Sequence, residues 1–476
     1  MKTITRRSLL GSMARCSPLL ALGPRLLAGS ASEHEETKPN IVLIVADDMG
    51  WADVGYHNPE IKTPVLDRLA RTGVELDWHY VQPQCTPTRV ALMTGRYPSR
   101  FGSHCTQASN QQAFPIGTLT MASMLKEVGY ETALTGKWHM GSKPEWGPNH
   151  YGFDHSYGSL AGATGMYDHR YRLNTPFRRS WHRNLEFVEE VGHATDLATD
   201  EAVEWIAARR PRRAEDVPSS DRGQDARDTT KPFFLYVPYQ NVHTPLVEDH
   251  RLLALYDDIE NPDRRLMGAA LTHLDRCVGR IVAAVDRSGQ RENTLIIFFS
   301  DNGGIHTRYG GNNYPPPDPP LSEGFSLNTP LRSGKTHVYE GGIRVPAFVN
   351  WPAKLRPAKV FQPMHAVDWM PTLASLVGFA PEEQPAWDGR DVWPAIAGEQ
   401  ESVQERQFYW VWGARRNRVA LRQGRWKILR DDARAAWELY DLHNDPREMH
   451  NLADAMPDKL QQLLEAFERE EARDAL

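Results

Sequence analysis

Apolar positions along this chain gather into short unbroken runs, each followed by a small polar cluster. Ile41-Val42-Leu43-Ile44-Val45 leads into Asp47-Asp48, and Leu295-Ile296-Ile297-Phe298-Phe299 into Asp301-Asn302. Phe233-Phe234-Leu235-Tyr236-Val237 precedes His243, and the shorter Glu131-Thr132-Ala133-Leu134 precedes Lys137 and His139. Runs of this length without polar alternation predict strands buried on both faces, as in a parallel sheet. Between them, Leu119 to Val128 and Leu266 to Arg287 repeat apolar residues at helical spacing. The alternation predicts an α/β fold, a large mixed and mostly parallel sheet sandwiched by helices. In open sheets of this kind ligands bind outside the carboxyl ends of the strands. The polar clusters, far apart in sequence, are therefore expected to converge on one edge of one sheet.

The period changes after about Gln400. Gln407 to Trp412, Arg418 to Leu421 and Trp426 to Arg430 alternate, with Gln423-Gly424 as a turn. Trp437 to Asp441 adds a strand, and Pro457 to Arg473 reads as an amphipathic helix. The expected organisation is a main α/β domain over residues 38–400 and a small C-terminal antiparallel sheet plus helix over 401–476. Pro211 to Lys231 is polar and aperiodic and reads as a surface insertion. Tyr309 to Ser326 is a Pro-rich loop, either lining the site or plain surface. At the N-terminus, Thr5-Arg6-Arg7-Ser8-Leu9-Leu10 is a twin-arginine pattern followed by an apolar stretch and small residues, which predicts a signal peptide over residues 1–31. Arg15 and Arg25 interrupt that stretch, so no stable membrane insertion is expected. The reading is a periplasmic or secreted bacterial protein.

Composition narrows the classes. The 476 residues carry a formal net charge of −6, so nucleic acid is not an expected partner, and any anionic ligand needs a local basic pocket. Four cysteines exclude a disulfide framework. Cys277 flanks an apolar helical face, which predicts a buried free thiol and not a bridge to Cys105. The pattern specifies no oligomeric state.

The most informative stretch is Gln84-Cys85-Thr86-Pro87-Thr88-Arg89-Val90-Ala91-Leu92-Met93-Thr94-Gly95-Arg96. It resembles the C-x-P-x-R…T-G-R signature of the formylglycine-dependent (type I) sulfatases, arylsulfatase A/B-like members of the alkaline phosphatase superfamily. The resemblance extends through Asp47-Asp48-Met49-Gly50, Gly136-Lys137-Trp138-His139-Met140-Gly141, Ser300-Asp301-Asn302-Gly303 and Glu340-Gly341-Gly342-Ile343-Arg344-Val345-Pro346. It reaches Glu438-Leu439-Tyr440-Asp441-Leu442 near the C-terminus, nearly the whole mature chain. It implies an alkaline-phosphatase-like fold. It also implies conversion of Cys85, before folding and by a formylglycine-generating enzyme, to Cα-formylglycine, whose hydrate attacks the sulfur of a sulfate ester. The substrate would be a sulfated carbohydrate or a small aryl sulfate, with inorganic sulfate released.

Hard oxygen donors suit one Ca²⁺, or less readily Mg²⁺. The resemblance makes Asp47, Asp48, Asp301, Asn302 and the modified Cys85 its ligands. Arg89, one helical turn beyond Cys85, would orient the hydrate. Lys137 would contact sulfate, and His139 would deprotonate the sulfated hydrate to expel sulfate and restore the aldehyde. Asp301 would be base for the attacking hydroxyl. His243 and Lys335 would flank the leaving oxygen, and one of them would protonate it. Tyr167-Asp168-His169-Arg170, His337, Glu340, Arg344, Trp412 and Arg415-Arg416 are polar or aromatic groups near these segments, each read first as structural. Two alternatives share the motifs: a formylglycine-dependent phosphonate or phosphodiester hydrolase, and a catalytically silent binder of sulfated glycans.

Overall fold

The strand Asn40–Ala46 is buried along its whole length, and its side chains divide between two cores. Ile41, Leu43 and Val45 join one apolar cluster, while Val42, Ile44 and Ala46 join another on the opposite face. This alternation is why the run is apolar throughout: a strand covered by helices on both sides has no wet face. A computed structural model describes residues 38–171, 178–209, 231–306, 324–400 and 405–475. The expected signal peptide, most of the Pro211–Lys231 segment and most of the Tyr309–Ser326 segment lie outside the described residues.

Asn40–Ala46 is central in a sheet of ten strands among the described residues. Thr294–Ser300, Asn40–Ala46, Phe233–Pro238, Glu131–Lys137 and His155–Ser159 lie side by side and all run parallel. Ala347–Asn350 on one side and Trp181–Arg183 on the other pair antiparallel, which makes the sheet mixed. The helices Pro64–Thr72, Ala194–Ala207 and Pro262–Arg287 bury their apolar stripes on one face. Cys85–Thr94, Met121–Glu127 and Trp369–Val377 cover the other. Cys85, Cys105 and Cys277 are all buried free thiols, as expected for Cys277.

Boundaries shift where a charge is neutralised. The expected strand Glu131 to Leu134 continues to Lys137, because Lys137 pairs with Asp47 and its ammonium is fully buried in the strand. Gln407–Trp412, Arg418–Gln423, Trp426–Arg430 and Glu438–Asp441 form the expected antiparallel sheet, backed by the helix Pro457–Glu471. It too has two buried faces: Tyr409 and Val411 join the core around the Cys85 helix, while Phe408 and Trp410 pack with Tyr80, Val338 and Ile343. No helix among the described residues is long and apolar enough to cross a membrane.

Candidate active site

The parallel register brings the polar clusters together. Ala46 lies opposite Ser300, and Val45 opposite Pro238, so the chain leaves three neighbouring strands at one level of the sheet. Asp47-Asp48, Asp301-Asn302 and the loop carrying His243 emerge there side by side. Ser300 latches two of these exits: its hydroxyl accepts from the Met49 amide (2.9 Å) and donates to the Asn302 carbonyl (2.8 Å). Lys137 ends the adjacent strand, and His139 follows it. Cys85 opens the helix Cys85–Thr94 with its side chain 2% exposed, so the unpaired amides of the first turn face the same cluster.

The charged groups interlock. The Arg89 guanidinium donates to Asp301 Oδ2 from Nε (3.1 Å) and Nη2 (2.7 Å), and to the Lys137 carbonyl from Nη1 (2.8 Å). Lys137 pairs with Asp47. Lys335 Nζ lies 2.6 Å from Asp48 Oδ2, and His243 Nε2 lies 3.6 Å from the same oxygen. Asn302 donates to Asp48 Oδ1 at 2.7 Å. All seven expected catalytic residues and all five expected ligands thus meet at one sheet edge.

The environment sets their proton affinities. Burial pushes the Asp47 carboxyl up, but Lys137, His243 and Arg89 outweigh it and hold Asp47 below its ordinary range. Asp301 moves the other way: burial and repulsion from Asp47 outweigh Arg89 and Lys137. Burial, reinforced by Lys137 and Arg89, keeps His139 neutral well below the usual histidine range, and burial with Lys335 lowers His243 to about 4. The Cys85 thiol is raised by burial to about 11, with Lys137 and Lys335 only partly opposing. A thiolate nucleophile at neutral pH is therefore disfavoured.

The backbone is also unusual here. Asp48 (φ 65°), His139 (φ 54°), Ser333 (φ 66°) and Thr336 (φ 72°) all adopt left-handed conformations. Such residues cluster where geometry is fixed for function. Gly162 completes the arrangement: a Cβ there would overlap the His139 ring. No sequence motif marks Gly162, because the contact spans two loops with no shared periodicity.

The donor set fits a divalent cation. Asp47 Oδ1 and Asn302 Oδ1 are buried oxygens without a hydrogen-bond partner, a costly state that a cation would relieve. Ligand atoms of Asp47, Cys85 and Asp301 lie within 4.8 Å of one another, as do those of Asp47, Asp48 and His243. Apart from the cysteine and His243, these are hard oxygens.

The peripheral candidates separate. Glu340 bonds Lys427 and Tyr80 at 2.8 Å each, Arg344 bonds Asp77 at 2.6 Å, and Arg416 bonds Asp474 at 2.7 Å, all structural pairs. His337 lies 2.5 Å from Asp431. Tyr167 to Arg170 line a separate opening with Glu189. Trp412 reaches Gln84, the residue before Cys85, donating to its Oε1 at 2.8 Å.

The Sulfatase family model matches residues 39–379. The chain belongs to the sulfatase family. A second model, N-sulphoglucosamine sulphohydrolase C-terminal, matches residues 333–472 of this sulfatase-family chain. Arylsulfatase J of Mus musculus is 36% identical over 379 residues, which are 78% of this chain. This chain spans 57% of that protein's length. N-acetylgalactosamine-6-sulfatase of Canis lupus familiaris is 32% identical over 431 residues, 85% of this chain and 75% of that protein. Among solved structures, Ps i-CgsB in complex with k-i-k-neocarrahexaose superposes with a TM-score of 0.79 at 32% identity, over 92% of this chain and 94% of that one.

Proposed function

We propose that this protein hydrolyses sulfate monoesters of carbohydrates at the S–O bond, releasing inorganic sulfate. The observation that carries the reading is Cys85, buried at a helix start among Asp47, Asp48, Asp301 and the cationic side chains of Arg89, Lys137 and Lys335. The names of relatives, N-acetylgalactosamine-6-sulfatase and a carrahexaose-bound sulfatase-family structure, support a sugar sulfate over a small aryl sulfate.

Two groups complete the site. Asp47, Asp48, Asp301, Asn302 and the residue at 85 would hold Ca²⁺, which would supply Lewis acidity there. Cys85, converted to formylglycine, supplies a hydrated aldehyde as the source of the attacking hydroxyl. Because the folded chain buries Cys85, a maturation enzyme must act before folding. Arg6-Arg7 supports later export of the folded protein to the periplasm or beyond.

The chain's own groups do the rest. Lys137, Lys335 and His243 surround the sulfate position, and a water-poor pocket strengthens each charge placed there. Arg89 holds Asp301 by two hydrogen bonds that converge on Oδ2, which fixes the carboxylate that receives the attacking hydroxyl's proton. His139 is neutral and its Nδ1 is unpartnered, so it is ready to accept the proton whose removal frees sulfate. The leaving alcohol takes its proton from His243 or Lys335.

Peptide mass spectrometry across Cys85 after expression with a formylglycine-generating enzyme tests the nucleophile. Conversion is expected as a loss of about 18 Da, with sulfate released from sulfated oligosaccharides and not by Cys85→Ala. Converted protein that cleaves phosphodiesters or phosphonates faster than sulfate esters sinks the reading. For the cation, Ca²⁺ is expected to raise the melting temperature of wild type, and Asp301→Ala to lose both that shift and turnover. An equal shift in Asp301→Ala removes Asp301 from the ligand set.

A further inference from the structure

Beside the catalytic edge lies a cleft of about 630 Å³, within the size range of small-molecule sites, that the proposed chemistry leaves unused. Its walls include Asn110, Lys143, Trp146, Tyr171, Arg178 and Arg179. Hydrogen bonds tie it to the catalytic groups. Asn110 Oδ1 accepts from the Gly162 amide at 3.3 Å, and Gly162 is the residue against which the His139 ring lies. The Thr86 hydroxyl, next to Cys85, reaches the carbonyls of both Ser109 (3.4 Å) and His139 (3.1 Å). The cleft therefore shares a wall with the site.

Its chemistry is specific. Lys143 sits over the Trp146 ring, with Nζ 4.5 Å from the centroid, and Trp146 is only half-buried, so part of the indole faces the opening. The short antiparallel pair Arg170–Tyr171 and Arg178–Arg179 brings exposed guanidinium groups to the far wall. Arg179 lies 3.0 Å from Glu189, so its charge is partly spent. None of the described lining residues is acidic. Cations interleaved with aromatic faces suit a ligand that is anionic on its edge and apolar on its ring face. A sugar ring bearing sulfate or carboxylate has that form.

We propose that this cleft is a glycan subsite that holds a second anionic sugar of the same oligosaccharide whose sulfate ester lies at Cys85. The proposal rests on the carbohydrate-sulfatase reading above. Lys143 and Arg178 engage the second anion, and Trp146 stacks on the ring between it and the scissile ester. The protein is then selective for chains charged on adjacent residues over isolated sulfate esters.

The test compares wild type with Lys143→Gln/Arg178→Gln and with Trp146→Ala, all carrying converted Cys85. The substrates are 4-nitrophenyl sulfate, a galactan oligosaccharide bearing a second sulfate, and a chondroitin 6-sulfate oligosaccharide bearing a uronate. The expected result is a loss of at least about tenfold in kcat/KM on a doubly anionic oligosaccharide, carried by KM and shrinking with added salt. Turnover of 4-nitrophenyl sulfate should be unchanged. Whichever oligosaccharide responds identifies the second anion as sulfate or carboxylate. Equal losses on the aryl sulfate and the oligosaccharides, or no loss on either oligosaccharide, overturn the proposal. Calorimetry on Cys85→Ala separates its failure from that of the sulfatase reading. Oligosaccharide binding weakened by the Lys143→Gln/Arg178→Gln pair supports the cleft even where wild type releases no sulfate, and binding indifferent to the pair rejects it.

Discussion

The His139 imidazole is held in place by what is missing from its neighbour. Gly162 leaves the space that the ring fills, and a Cβ there would occupy the ring's own volume. Gly162→Ala is expected to fold, because the atoms its Cβ meets belong to a side-chain ring and not to backbone, yet to lose about 100-fold or more in kcat, since displacement of a reacting group by about 1 Å costs that much. Matched melting curves with unchanged turnover would show that the ring has no positional role. The contrast with Arg89 shows what sequence carries at this scale. Arg89 was legible because it stands in the C-x-P-x-R signature that carries the resemblance, and the helix Cys85–Thr94 puts both residues on one face. Gly162 was not, because it meets His139 only after two loops are folded over each other. The left-handed backbones at Asp48 and His139 were equally hidden, since neither Asp nor His announces a positive φ.

At the scale of elements, apolar runs located the strands to within three residues, and the strand ends located the site. The tertiary clamps between elements were not legible. The loop that carries His243 is tied down by Glu248, which accepts from Asn241 (3.4 Å) and meets His273 Nδ1 at 2.8 Å on the helix Pro262–Arg287. His273 also faces Asp196 at 3.3 Å on the helix Ala194–Ala207, with the His193 ring tilted against it and Cys277 and Arg280 on its own helix. Burial works against charge on this imidazole, but hydrogen bonds to Asp196, Cys277 and Glu248 outweigh burial and raise His273 to about 12. A raised folded value means that the stabilisation is complete below the unfolded value of about 6.5 and is lost as pH climbs toward the folded one. The stability gap between wild type and His273→Gln should therefore be widest near about pH 6 and narrow steadily above it. Urea melts at several pH values measure it, and a gap that stays flat or widens with pH would mean that His273 is held neutral.

For the whole molecule, fold class followed from the switch between strand and helix periods, and the small sheet from the change to alternation after Gln400. What sequence did not convey is the ionic part of how the small sheet is fastened to the rest, because it is buried beside the apolar contacts. Lys427, Glu340 and Glu448 are all fully buried, with Lys427 Nζ 2.8 Å from Glu340 and 2.7 Å from Glu448. In sequence each reads as an ordinary surface charge. Burial and the Glu340 charge raise Glu448 to about 7, while Lys427 holds Glu340 below its usual range despite burial. Lys427→Met removes the cation and leaves two carboxylates in an apolar junction, a change that costs about 3–5 kcal/mol. The cost should appear in urea as a lower midpoint with little change in slope, since the surface exposed on unfolding is the same. Function should fail along with it. Glu340 lies five residues after Lys335, on the segment whose turn sets Lys335 against Asp48. Loosening that segment moves a sulfate-facing cation before the large sheet is disturbed. Sulfate release by Lys427→Met is therefore expected to disappear at a lower urea concentration than its bulk tryptophan signal, whereas the two should coincide in wild type. Coincidence in both proteins would mean that the junction holds the small sheet without tensioning the site.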